Sequence, residues 1–311
     1  MNRTILTKSM KRSFPIIDAH QHFWDLTLGK HPWLCGDRQI PFRYGDYTRL
    51  KKSNYLPKDY LADTTGFNIV KTIYMEAEWD PADPLGETAW VTELHNRTGF
   101  PNAIIGQASF MSEDIAAVIS DQASYALMRS LRQKPAASPS PETFYPGLPG
   151  SLADPKFRKG FGLLSGHNLH FDLQTPWWHL GDAAALARDF PDTTIILNHT
   201  GLPSDRSDAG LKGWRTALVE FANEPNTAVK ISGICQPGKP WTADLNRNVV
   251  LETIRIFGIN RCMLASNFPV DKLLASFEEI YSGFIQIISE FPETEQLKLL
   301  HDNAVTYYRP V

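Results

Sequence analysis

The sequence predicts a single α/β domain, a (β/α)8 TIM barrel, and three observations carry that reading. Eight short β-rich runs recur along the chain. Amphipathic helical patterns lie between several of them. The length of 311 residues is common for one closed barrel of this kind. Strands that alternate with helices make a parallel sheet, and eight such units let it close on itself.

The first run covers 15–22. The stretch 1–14 before it carries Arg3, Lys8, Lys11 and Arg12 without an apolar segment, so it reads as a loose, flexible arm and not as a secretory signal. The second run, 70–78, puts Ile73, Met75 and Ala77 on one face and Thr72, Tyr74, Glu76 and Glu78 on the other. Runs at 103–109, 126–134, 168–173, 193–199, 227–233 and 261–267 complete the eight. Helical periodicity marks 182–189, 211–223 and 247–257. The segment 276–308 reads as helices that close the barrel, so 15–311 forms one unit. Two connections are long: 23–67, rich in Trp, Pro and charge, and 135–160, rich in Pro, Ser and Gly. Loops of that length in a compact domain usually cover a site.

Composition narrows the function classes. A net charge of −3 and a pI near 6.3 give no electrostatic footprint for nucleic acid or an anionic membrane. No stretch approaches the ~18 apolar residues of a spanning helix. The three cysteines, Cys35, Cys235 and Cys262, are odd in number and scattered, which suits a reducing cytoplasm. The partner left by these exclusions is a small molecule, with homo-oligomer formation open.

The richest motif is Asp18-Ala19-His20-Gln21-His22-Phe23-Trp24. Strand alternation points Asp18, His20 and His22 the same way, with the two imidazoles ~7 Å apart. Such a pair can grip one metal ion or one substrate. His199 ends the sixth run, where a buried strand opens into a Gly-containing loop. Polar residues at other strand ends then matter, because barrel enzymes build their sites there. Glu76 and Glu78 end the second run, Arg132 and Lys134 the fourth, and Lys230 lies in the seventh. These cations either pair with the glutamates or bind a substrate carboxylate. Trp24, Trp33 and Trp79 supply apolar walls beside the mouth.

His20-Gln21-His22-Phe23-Trp24, Asn198-His199-Thr200-Gly201, Val229-Lys230-Ile231-Ser232-Gly233 and Ala265-Ser266-Asn267-Phe268-Pro269-Val270 resemble landmarks of the amidohydrolase superfamily. The similarity runs from about residue 15 to the end. It is greatest to the lactonase-like amidohydrolase 2 branch, which includes L-fuconolactonase and 2-pyrone-4,6-dicarboxylate hydrolase. The resemblance implies a hydrolase in which a first-strand histidine pair, a strand-six histidine and a strand-eight aspartate surround an attacking water. His20, His22 and His199 match, and are the implied metal ligands. Asn267 stands where the aspartate belongs, and an amide is no general base at neutral pH. Asp271, four residues on, is the substitute if its loop folds back. The resemblance thus implies one divalent ion, zinc first, or none, and rules against a two-metal centre. The expected reaction is water attack on a small anionic lactone or cyclic ester. The alternatives are a superfamily decarboxylase and a binding barrel without turnover.

Overall fold

The computed structural model describes residues 14–311, so all but the last residue of the arm read at 1–14 lies outside the described residues. Phe14 is buried against the core. Strands β1 (Ile16–Gln21), β2 (Ile69–Met75), β3 (Ala103–Gln107), β4 (Met128–Arg132), β5 (His170–Leu173), β6 (Ile195–Leu197), β7 (Thr227–Ile231) and β8 (Cys262–Leu264) form one parallel sheet in sequential order. The seam closes just beyond β8. Gln21 bridges Phe268, the His22 amide donates to the Phe268 carbonyl at 2.7 Å, and the Asn267 amide donates to the His20 carbonyl at 2.8 Å. This is the (β/α)8 barrel that the alternating runs predict.

Each strand is followed by a helix: α1 (Pro57–Asp63), α2 (Gly86–Thr98), α3 (Ile115–Ala123), α4 (Pro155–Phe161), α5 (Leu180–Asp189), α6 (Asp208–Ala222), α7 (Ala243–Phe257) and α8 (Phe277–Ile288). Helices α6 and α7 start earlier than their apolar periodicity suggests, because caps set the first turn. Ser207 accepts from the Gly210 amide and Thr242 from the Leu245 amide. Ser276 and Glu279 form a capping box on α8. The strands are shorter than the sequence runs. Past Leu264 the chain leaves the ladder, and the Ser266 amide donates to the Asp18 carboxylate at 2.8 Å.

Helices pack on the outer faces of the strands, while Ile17, Ile73, Met75, Ile105, Ala228 and Met263 fill the interior. Two short terminal helices, α9 (Glu293–Leu297) and α10 (Asn303–Tyr308), plug the floor, where Ala304 and Tyr308 join the interior cluster. The Tyr308 hydroxyl donates to Asp172 at 3.0 Å, and Asp172 pairs with Lys230 at 2.7 Å, both fully buried. Buried charges persist only when paired and hydrogen-bonded in this way.

Glu87 on α2 is a second buried acid. Its carboxyl accepts from the Ala77 amide at 2.6 Å and the Tyr74 hydroxyl at 2.8 Å, beneath the end of β2. Burial, reinforced by nearby Glu76, pushes it up to about 8. A folded-state value above the unfolded one contributes stability that is full below pH ~4.5 and is lost as pH rises through about 8. Glu87→Gln, which keeps the shape without the charge, should therefore gain on the wild type as pH rises from ~5 to ~8.5, by on the order of 2–4 kcal/mol. Urea midpoints at the two pH values check this, and an unchanged difference would mean that Glu87 is ionised at both.

Candidate active site

The mouth of the barrel is built from backbone held in an uncommon conformation. Glu78, His199, Thr200, Leu202 and Asn267 all have φ between 45° and 57°. Left-handed backbone at a non-glycine residue costs on the order of 1–2 kcal/mol, and a β-branched residue there is an outlier. These residues follow β2, β6 and β8, and hydrogen bonds hold them. The Trp214 indole donates to the Thr200 carbonyl at 2.8 Å, and the Thr200 and Thr253 hydroxyls pair at 2.7 Å. Strain over-determined by its surroundings clusters at functional sites.

The β1 motif departs from strict alternation. Between Asp18 and Gln21 the strand gains one residue over β2, a β-bulge. Asp18 therefore does not share a face with the histidines. It is buried against the hydroxyls of Tyr60 (2.9 Å) and Ser266 (2.5 Å) and stitches β1 to the seam. Burial nevertheless raises its carboxyl above the usual range. His20 and His22 turn to the mouth, with ring centroids 5.1 Å apart, and the His20 ring lies 4.6 Å from that of His199. The structure thus brings the three histidines of β1 and β6 together.

Their hydrogen bonds settle what each can offer. His22 Nδ1 donates to the Met75 carbonyl at 2.9 Å, which leaves Nε2 facing Asn267 Oδ1 at 3.3 Å. The Asn267 amide group donates to Asp271 Oδ1 at 2.6 Å. Asp271 is itself buried, accepting from the Tyr44 hydroxyl at 2.9 Å and from the Cys235 thiol. The loop after β8 does fold back, yet Asp271 reaches the pocket only through Asn267. His199 Nδ1 lies 2.9 Å from the Ser232 hydroxyl. Both ring nitrogens of His20 are buried without a hydrogen-bond partner.

All three rings are held neutral. Burial pushes His22 down to about 3, helped by the Arg132 guanidinium. Burial also lowers His20 and His199 well below the usual range, His199 beside His20 and Arg43 beside His199 adding to it. Neutral imidazoles are the form that binds a metal or takes a proton. Among the described residues, no three His, Cys, Asp or Glu side chains stand ready around one point for a metal ion. A smaller donor set is present: the open nitrogens of His20, and the lone pairs of His22 Nε2 and Asn267 Oδ1, which face each other with no proton between them. That set suits one cation held weakly, since an amide oxygen replaces a carboxylate.

The basic strand ends already have partners. Arg132 makes an ion pair with Glu76, donates to the Glu76 carbonyl at 2.7 Å and reaches Gln174 Oε1 at 3.1 Å. Lys134 pairs with Glu78 at the half-exposed rim. Lys230 does not reach the pocket, because alternation along β7 points it into the interior, onto Asp172. Trp24 does not reach it either. It is buried against Trp33 and donates to the Ser53 carbonyl at 3.2 Å.

A cavity of about 260 Å³ opens at His22, His199 and Asn267 and is walled by Trp33, Phe42 and Arg43. A neighbouring compartment of about 540 Å³ shares Trp33, Arg132, Lys134 and Glu78 with it. Arg43 and Gln174 were not singled out by the sequence. Gln174 has a readable signal, since it follows Asp172 by two residues on the face of β5 that looks inward. Arg43 lies in the long connection after β1, where no period exists to read.

Gly233 ends the β7 segment at φ 58°, and a Cβ there would fall 2.4 Å from Arg43 Nη2 and 2.5 Å from His199 Nδ1. Only glycine leaves both side chains in place. Gly233→Ala should lower kcat/KM at least ~10-fold through their displacement, with a melting point within a few degrees of wild type. Steady-state kinetics beside a thermal melt checks this, and unaltered kcat/KM would remove His199 and Arg43 from the working geometry.

Residues 17–309 match the sequence profile of a family described as Amidohydrolase. The chain is 40% identical over 294 residues to the uncharacterized protein y4mH of Sinorhizobium fredii, covering 94% of this chain and 98% of that one. It is 25% identical over 265 residues to L-fucono-1,5-lactonase of Burkholderia ambifaria, covering 84% and 82%. Its fold superposes with TM-score 0.79 on a zinc-bound amidohydrolase of Burkholderia multivorans, at 22% identity over 96% of this chain and 100% of the other.

Proposed function

We infer the function from one premise: the chain belongs to the amidohydrolase family. From it we propose a hydrolase that opens a small, carboxylate-bearing lactone or cyclic ester by attack of an activated water. The observation that carries this reading is the neutral cluster of His20, His22 and His199 at the barrel mouth, with the His20 nitrogens buried and unpartnered. A lactone-sized ring fits the cavity of about 260 Å³ beside them.

His20, His22 and the Asn267 side-chain oxygen would hold one divalent ion, zinc first. Such an ion supplies a Lewis acid for the carbonyl and makes water more acidic. With Ser232 accepting from its Nδ1, His199 keeps Nε2 free to take the proton of the attacking water. Arg132 is fixed by Glu76 and Gln174, and it places positive charge where the oxyanion develops. Lys134, paired with Glu78 at the rim, is the cation that can exchange partners for a substrate carboxylate. Asp271 acts through Asn267, holding the amide so that its oxygen faces His22. Trp33 and Phe42 exclude bulk water from one side.

The test is a panel of lactones with and without a carboxylate, followed by proton release and product identification. The expected result is ring-opened acid, faster from carboxylated members. Carbon dioxide as product would make the enzyme a decarboxylase, and binding without turnover across the panel would make it a binding barrel. Metal content after dialysis without chelator should be one ion per chain at most, and two tightly held ions would overturn the single-ion reading.

A further inference from the structure

Arg43 has a cavity on each of its sides. One is the histidine pocket; the other is a separate cavity of about 480 Å³. Three loops enclose this second space: the connection after β1, the β6–α6 loop and the β7–α7 loop. Each brings a cation to its lining, Arg43, Arg206 and Lys239 respectively, against a single carboxylate, Asp205.

Arg206 is the unusual member. Its Nε is buried with no hydrogen-bond partner, and the hydrogen bond its side chain makes runs from Nη2 to the Ile234 carbonyl at 3.2 Å. Neighbouring Asp205 is engaged elsewhere, accepting from the Ser207 amide at 2.8 Å and its hydroxyl at 3.0 Å. Burial without a matching carboxylate pushes the Arg206 guanidinium down to about 10. Arg43 donates from Nη2 to the Tyr44 hydroxyl at 2.7 Å, but its nearest carboxylate, Asp271, is 3.8 Å away and already accepts from Asn267 and Tyr44. A guanidinium in that position is stabilised by an incoming oxyanion that accepts from its fork.

We propose that this cavity is a binding site for a small oxyanion-bearing molecule, a phosphate or carboxylate compound, held by Arg206 with Arg43 and Lys239. The site is independent of the reaction proposed for the histidine pocket, and Arg43 and Leu202 line both.

Calorimetric titration of the full-length protein with inorganic phosphate and, separately, with malonate tests the site. At least one should bind saturably below ~10 mM, and the one that does names the oxyanion class. Arg206→Gln should weaken that binding ~10- to 100-fold, the range expected for a lost hydrogen bond to a charged group. Lys239→Ala, on an exposed side chain that folding does not need, should weaken it several-fold, and Arg206→Lys should fall between wild type and Arg206→Gln. Lactone turnover in saturating substrate should be unaffected by Lys239→Ala. No saturable binding of either anion, or binding that both Arg206→Gln and Lys239→Ala leave intact, would overturn the proposal.

Discussion

His22→Asn should lower kcat/KM for the proposed ring opening by about 10²–10⁴-fold, the range for loss of a group that positions the reacting water in the transition state. The substitution is chosen for its small structural effect. An asparagine amide can still donate to the Met75 carbonyl that His22 Nδ1 serves, while Nε2 and its lone pair are gone. Kinetics on the lactone that proves best, with a thermal melt of the same preparation, makes the measurement. A fall in rate with a melting point near wild type places His22 in the chemistry. A lowered melting point with rates that recover at low temperature would assign it to packing instead.

The largest stability effect belongs to Lys230→Met. Lys230 lies fully buried 2.7 Å from Asp172, its ammonium 4.6 Å above the Tyr308 ring, and Asp172 also accepts from Tyr308 and from Asn198 at 2.9 Å. Burial pulls Lys230 down to about 8, so it is mostly charged at neutral pH. Removing it leaves a buried carboxylate with neutral donors alone, which costs about 3–5 kcal/mol. Chemical denaturation should show that loss at pH 7. Because the folded value is below the unfolded one, the wild type itself gains stability as pH rises from about 8 towards 10.5, and the variant lacks this gain. A loss under ~1 kcal/mol would mean that water or a neutral lysine replaces the ion pair.

Much of this was legible in the residues, for definite physical reasons. The eight strands show because buried parallel strands are dense in β-branched residues, and the histidine cluster shows because its members sit at strand ends. The face of Asp18 was not legible, because alternation assumes an unbroken ladder and one extra residue in β1 reverses it. Residue type and spacing allow Arg132 and Lys134 either a substrate carboxylate or a glutamate as partner. The barrel closes distances that spacing along the chain does not encode, and it seats each on a glutamate just beyond β2. Asn267 reads as a lost carboxylate in isolation. Beside Asp271 it makes sense, since its amide donates to that buried acid, where an aspartate would repel it. Arg43 shows the limit: it lies in the stretch between β1 and α1, where no period marks which side chain turns inward.

The seam between β1 and the segment after β8 has a consequence for biosynthesis. His20 and His22 are made some 245 residues before Asn267 and Asp271. Strand β1 has its ladder on one side only until that late segment arrives, and Asp18 waits buried-to-be without Ser266. A nascent chain stalled before β8 therefore exposes a parallel edge, the kind of surface that recruits chaperones or other chains. The pocket is complete only when the segment after β8 joins β1, because His22 and Asn267 come from its two sides.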